Sequence, residues 1–333
     1  MHSLDNAGWE VRLRSGGEGL KNCRFPSSAE IEIVGNEDEV ILTVKSKGLL
    51  ANMQTNAAAF EAWGLVLLFH CKVKHLKIAL APDAANLAGG HVERFLYRLR
   101  RFQELFPGRV SKDPALRNSA RALDRTIQRV LNQPLSDREA TNEKKNERFA
   151  KIYAPSKSIS ESDLEKALEC SGSFKEKFAL KKLMRQWPVG LFEERVAEGK
   201  EIFTGGKSAI DLIGISDNKL VLFELKTHLN RSVGGISELF FYASVMRDAL
   251  RGRFQFEDLH GPKNCDIRPD DIVRCTGVQA ILIAPRMHPL VQNPSIFQEL
   301  NAATAQHWND IPVAFEAVQI KSLPNDSLGD FDF

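Results

Sequence analysis

Asp211, Glu224 and Lys226 interrupt two apolar runs within residues 208–230, SAIDLIGISDNKLVLFELKTHLN. A charge in such a run is costly unless it is paired or bound to a metal. Residues 209–215 and 220–226 are rich in Ile, Leu, Val and Phe, as buried strands are. Ser216-Asp217-Asn218-Lys219 between them is turn chemistry, because Asp and Asn tolerate left-handed backbone. A turn centred between Asp217 and Asn218 sets Asp211 directly opposite Glu224. Opposed Cβ atoms in an antiparallel pair lie about 4.5–5.5 Å apart, so these like charges repel unless a cation joins them. Two carboxylates at that spacing suit Mg²⁺, which takes oxygen ligands at about 2.0–2.1 Å. Lys226 lies two residues past Glu224 and projects from the same face. The expected chemistry is that of a divalent cation held by two carboxylates, with an ammonium beside it. The alternative is an edge hairpin carrying an ordinary salt bridge.

Ile210-Asp211, a gap of twelve residues, and Glu224-Leu225-Lys226 together resemble the PD-(D/E)XK nuclease superfamily, with the resemblance covering residues 160–320. Ile210 stands where that family has proline. The resemblance implies that Asp211 and Glu224 hold Mg²⁺ or Mn²⁺, that the Leu225 backbone carbonyl joins them, and that Lys226 orients or deprotonates the attacking water. The implied activity is hydrolysis of phosphodiester bonds, with DNA as the expected substrate and partner. The family also places a glutamate on a helix before the first core strand. A helix expected over 174–187 puts Glu176, Leu180, Leu183 and Trp187 on one face. Glu176 is therefore the further catalytic candidate, with Glu161 and Glu165 as alternatives. One branch of the superfamily carries Gln-x-x-x-Tyr on the helix after the hairpin. Here Glu238-Leu-Phe-Phe-Tyr242 aligns with it, glutamate replacing glutamine, and Tyr242 becomes a candidate groove residue. Thr227 and Arg231, just past the motif, are candidate contacts to a nucleic-acid backbone. A homodimer stays open. The rival reading is a non-cleaving nucleic-acid-binding or regulatory protein that keeps the nuclease fold.

The elements that must position these residues follow from periodicity and punctuation. The chain has 333 residues, enough for two ordinary domains. Strands are expected at 9–14, 30–34, 40–44 and 75–81, and helices at 52–70 and 91–105. A further helix is expected at 114–132, capped by Asp113 with Pro114 in its first turn. On it Arg117, Arg121, Arg125 and Arg129 recur at spacing four and would share a face. Residues 94–129 hold ten Lys or Arg against three acids, whereas the whole chain nets only +2. Such a row either tracks a phosphate backbone or is a solvated face. Residues 136–158 read as a charged linker between an α+β domain (1–135) of unassigned role and a nuclease-like domain (159–333). In the second half, helices at 161–169, 174–187 and 236–250 and strands at 191–196, the hairpin, 277–284 and 313–320 give the family's order. The expected class is α/β (α+β): a small α+β domain, then a restriction-endonuclease-like core of a mixed central sheet flanked by helices.

Five scattered cysteines without a Cys-x-x-Cys suggest reduced thiols rather than a disulfide framework. Only Cys265 and Cys275 lie downstream of the motif, too few for the iron–sulfur cluster of some family members. With His260 and His288 their spacing is too irregular for zinc. Residues 1–19 are polar and mixed in charge, unlike a secretory signal. The longest apolar stretch, 57–70, is interrupted by Glu61 and too short to span a bilayer. No membrane partner and a cytoplasmic location are expected.

Overall fold

The computed structural model describes residues 2–16, 20–116, 120–134, 160–203, 208–227, 232–261, 265–292, 295–321 and 331–333. Asn6–Arg14 (α1) is a helix, capped by Asp5, whose side chain accepts from the Gly8 N–H. The strand expected at 9–14 is corrected: its buried residues, Trp9 and Leu13, are one helical turn apart. Ile31–Gly35 (β1) and Glu39–Val44 (β2) pair antiparallel, and His75–Leu80 (β3) and Val110–Lys112 (β4) add in parallel to complete a four-stranded sheet. Phe60–Leu65 (α2) runs on into a π turn, Val66–His70, and Gly90–Leu105 (α3) follows β3.

The described part of 114–132 is not a continuous helix. It holds a 3-10 turn at Arg121–Leu123 and a short strand, Arg129–Leu131 (β5). Asp124 accepts from the Thr126 N–H and hydroxyl, a local turn that competes with helix. Pairing then buries Val130 and Leu131 against Leu191–Glu193.

Glu161–Cys170 (α4) is capped by Ser160 and Gly172–Lys177 (α5) by Ser171. The helix expected over 174–187 ends at Lys177. Ala179 takes a left-handed φ of +50°, and Lys182–Pro188 (β6) is a strand. Leu191–Glu193 (β7) pairs with β5, so the first core strand is β6 rather than 191–196. Then come Ala209–Ser216 (β8), Lys219–Leu225 (β9), Gly234–Leu250 (α6), Gln255–Phe256 (β10), Gly277–Ala284 (β11), Ser295–His307 (α7) and Val313–Gln319 (β12). Five strands form one mixed sheet in the order β12-β11-β9-β8-β6. β6, β8 and β9 are antiparallel neighbours, whereas β9, β11 and β12 run parallel and need the crossovers that α6 and α7 supply. The fold is mixed α/β, with central sheets flanked by helices.

The β8–β9 hairpin has the register its turn demands: Leu212 opposes Phe223, Ser216 opposes Lys219, and Asp217 is left-handed at +50°. Alternation sends the two strand faces to different cores. Leu212, Val221, Phe223 and Leu225 pack with Leu164, Leu168 and Phe174. Ile213, Ile215, Leu220 and Leu222 belong to a second core containing α6, and this core continues into Trp63, Phe95 and Phe102 of the amino-terminal half. Residues 1–135 and 159–333 therefore share a core as well as the small β10-β5-β7 sheet. The linker expected at 136–158 lies outside the described residues.

Candidate active site

The sheet opens locally where β8 reaches Asp211. On the β9 side the ladder stops at Leu212–Phe223, and on the β6 side it skips the pair Gln186–Asp211. Gln186 takes a left-handed φ of +56°, a strained conformation for a residue with a side chain. Freed from the ladder, Asp211 Oδ2 accepts the Leu225 N–H at 2.8 Å. The next pair in the hairpin register is Asp211 and Glu224, as the turn predicts.

Glu224 is 1% exposed, Lys226 3%, Glu238 2% and Asp211 9%. Lys226 Nζ lies 2.6 Å from Glu224 Oε1, 3.2 Å from Glu238 Oε2 and 3.8 Å from Glu161 Oε1. Glu238 comes from α6, which covers this face of the sheet, and Glu161 from α4. Glu165, also on α4, accepts from Gln186 Nε2 at 2.9 Å. Glu224 Oε2 is buried without a hydrogen-bond partner, whereas Glu238 Oε2 has the Lys226 ammonium beside it.

Burial pushes the carboxyls of Asp211 and Glu224 well above their usual range, and each is raised further by a neighbour: Glu224 acts on Asp211, and Glu238 on Glu224. Burial also raises Glu238, against the pull of Lys226. For Lys226 burial works the other way, but the surrounding carboxylates, Glu224 first, outweigh it and hold the ammonium above its usual range. Tyr242 is raised by burial and by Glu238. Arg94 of α3 is the second cation near Glu238 and Tyr242; burial and neighbouring Arg98 push it down to about 10.

Of the expected residues, Asp211, Glu224, Lys226 and Tyr242 converge here, and Leu225 adds its backbone. Thr227 is half-buried just beyond Lys226. Arg117 and Arg231 lie outside the described residues. Glu176 is corrected: it is exposed on α5, its shared face with Leu183 and Trp187 having gone with the helix, and the acids that reach the cluster are Glu161 and Glu165. The arginine row is corrected too. Arg121 ion-pairs with Glu193, Arg129 sits on β5, and Arg125 follows the 3-10 turn. Glu238 and Arg94 were not among the residues expected to form the site. Glu238 carried a signal, being a charge inside an otherwise apolar stretch of α6.

The donors are hard oxygens and Glu224 Oε2 is without a hydrogen-bond partner, so the residues fit the chemistry of Mg²⁺ or Mn²⁺. Among the described residues, however, no group of three or more His, Cys, Asp or Glu is already set to hold a metal. The cation in contact with Glu224 and Glu238 is Lys226. No protein-family model, no curated protein and no solved structure matches the chain. Among the described residues no helix is long and apolar enough to cross a membrane.

Proposed function

We propose that the chain is a metal-dependent nuclease of the PD-(D/E)XK type, hydrolysing phosphodiester bonds in DNA. The observation that supports this reading is the burial of Asp211, Glu224 and Lys226 together under α6, just beyond the last hairpin pair, Leu212–Phe223. Asp211, Glu224 and the Leu225 carbonyl would hold Mg²⁺ or Mn²⁺. When bound, that ion would supply an activated water and neutralise charge on the phosphate. Lys226 would orient the water and face the phosphate. Glu161 or Glu165 would hold the water from α4, and Arg94 and Tyr242 would line the approach from α3 and α6.

The test is cleavage of plasmid and linear DNA with Mg²⁺, Mn²⁺ or EDTA. Cleavage should require the ion and fall at least about a hundred-fold in Asp211→Asn and Glu224→Gln, more than outer-shell changes usually cost. Undiminished cleavage by both folded variants would reject the site. A second reading, a nucleic-acid-binding or regulatory protein without cleavage, is favoured by one observation: Lys226 already pairs with Glu224 and Glu238. It predicts DNA binding with no ion-dependent cleavage under any of these conditions.

A further inference from the structure

At the carboxyl-terminal end of α6 lies a half-open cavity of about 510 Å³ lined by Arg100, Arg101, Arg125, Arg129, Arg251 and Arg253 with a single acid, Glu104. It lies away from the carboxylates, since Glu238 and Arg251 are separated by roughly 20 Å along the helix axis at 1.5 Å per residue. Its arginines come from α3, from the segment around β5 and from the turn after α6.

The charges here do not balance. Glu104 serves Arg100 at 3.4 Å and Arg101 at 2.6 Å. Asp248 serves Arg101 at 2.5 Å and Arg253 at 3.3 Å, and Asp310 serves Arg251 at 2.6 Å. Four of the six guanidinium groups thus share three carboxylates, and Asp310 also pairs with Arg247. Among the described residues neither Arg125 nor Arg129 has a carboxylate within ion-pair distance. Arg129 donates to the Ala122 carbonyl at 3.2 Å. The Nε atoms of Arg101 and Arg129 are buried without an acceptor, and Arg101 as a residue is only 1% exposed. Burial pushes both Arg129 and Arg253 below their usual range; Asp248 acts against this at both, while Arg253 beside Arg129 and Arg101 beside Arg253 add to it. A bound anion would relieve that repulsion.

We infer that this cavity is a second binding site, for a compact polyphosphate such as the oligophosphate chain of a nucleotide. Guanidinium forks match phosphate oxygens bidentately. The volume falls within the range of about 300–1,000 Å³ typical of small-molecule pockets. The lining has no aromatic ring on which a base could stack, so recognition rests on the phosphates.

The test is calorimetric titration of the full chain with inorganic tripolyphosphate and, separately, ATP, in EDTA at fixed ionic strength. Saturable one-to-one binding is expected, weakened at least ten-fold in Arg100→Ala/Arg125→Ala. Both residues are exposed, so an unchanged melting temperature in that variant certifies its fold. Tighter binding of ATP than of tripolyphosphate would identify a nucleotide as the source, and equal binding the phosphate chain alone. Heats no larger than those of sulfate at equal ionic strength, or affinity unchanged in the double variant, would overturn the proposal. So would a DNA duplex whose binding is lost in that variant while tripolyphosphate fails to bind the wild type; the arginines would then belong to a nucleic-acid track. None of these readouts depends on cleavage, so failure here leaves the nuclease reading standing.

Discussion

Burial makes Asp211, Glu224 and Glu238 reluctant anions, and their proximity adds to it. Because their carboxyls are held above the ordinary range, the folded state binds their protons more tightly than the unfolded chain does. The stability they contribute is complete below the unfolded value of about 4 and is lost as pH rises through the raised values. Lys226 is also held high, so its contribution persists past neutrality and does not change in this window. In EDTA the melting temperature of the wild type should therefore fall, relative to Asp211→Asn, as pH rises from about 5 to 8. The comparison with Asp211→Asn cancels acids elsewhere that act in the opposite sense, such as Asp113, held low by the Ala115 N–H. Thermal melts across that range check the point; parallel curves for the two proteins would mean that the cluster is not strained by charge.

The start of α6 decides whether Glu238 reaches Lys226. A Cβ on Gly234 would sit 2.2 Å from the Gln54 carbonyl oxygen, and one on Gly235 3.4 Å from Lys226 Cε. Asn56 completes the joint, accepting from the Val233 N–H at 3.0 Å and the Ser232 hydroxyl at 2.9 Å. Gly234→Ala should destabilise by about 1–3 kcal/mol or more, since backbone cannot yield as a side chain can. Gly172→Ala, with open space at its Cβ, should be near neutral. Urea unfolding of both variants measures the difference, and equal midpoints would discount the close approach. The elements that were legible in the chain are those with local causes. The hairpin carries its own turn, and α3 and α6 their own apolar spacing. Residues 174–187 and 114–132 read as helices because helical spacing there coincides with apolar residues whose burial is set by remote strands, β8 for Trp187 and β7 for Leu131. Of the candidate site, the Asp211–Glu224–Lys226 geometry could be read from two adjacent strands. The contributions of α4 and of Arg94 on α3 depend on packing across the whole chain, which no local pattern encodes.

At the scale of the whole molecule the amino-terminal half acts as a clamp on α6. Asp248, 0% exposed, accepts from Tyr97 Oη at 2.8 Å and pairs with Arg101 at 2.5 Å, tying α3 to the last turns of α6. Nearer its start, Ser237 Oγ accepts the Ala62 N–H at 3.3 Å, and Phe240 and Phe241 pack against Phe102 and Tyr97. The face of α6 that does not cover the sheet is thus covered by residues far away in sequence. Asp248→Ala would leave the Arg101 charge buried with only Glu104 to answer it, and breaking a buried pair in this way costs about 3–5 kcal/mol. A fragment of residues 159–333 would suffer more, because it exposes the aromatic face of α6 and loses β5 from the small sheet. That fragment should show weak near-ultraviolet dichroism and no sharp thermal transition, whereas the full chain melts cooperatively. A cooperative melt of the isolated fragment, with Mg²⁺-dependent cleavage intact, would show instead that the second half folds and works alone, and that the clamp is an accessory rather than part of the core.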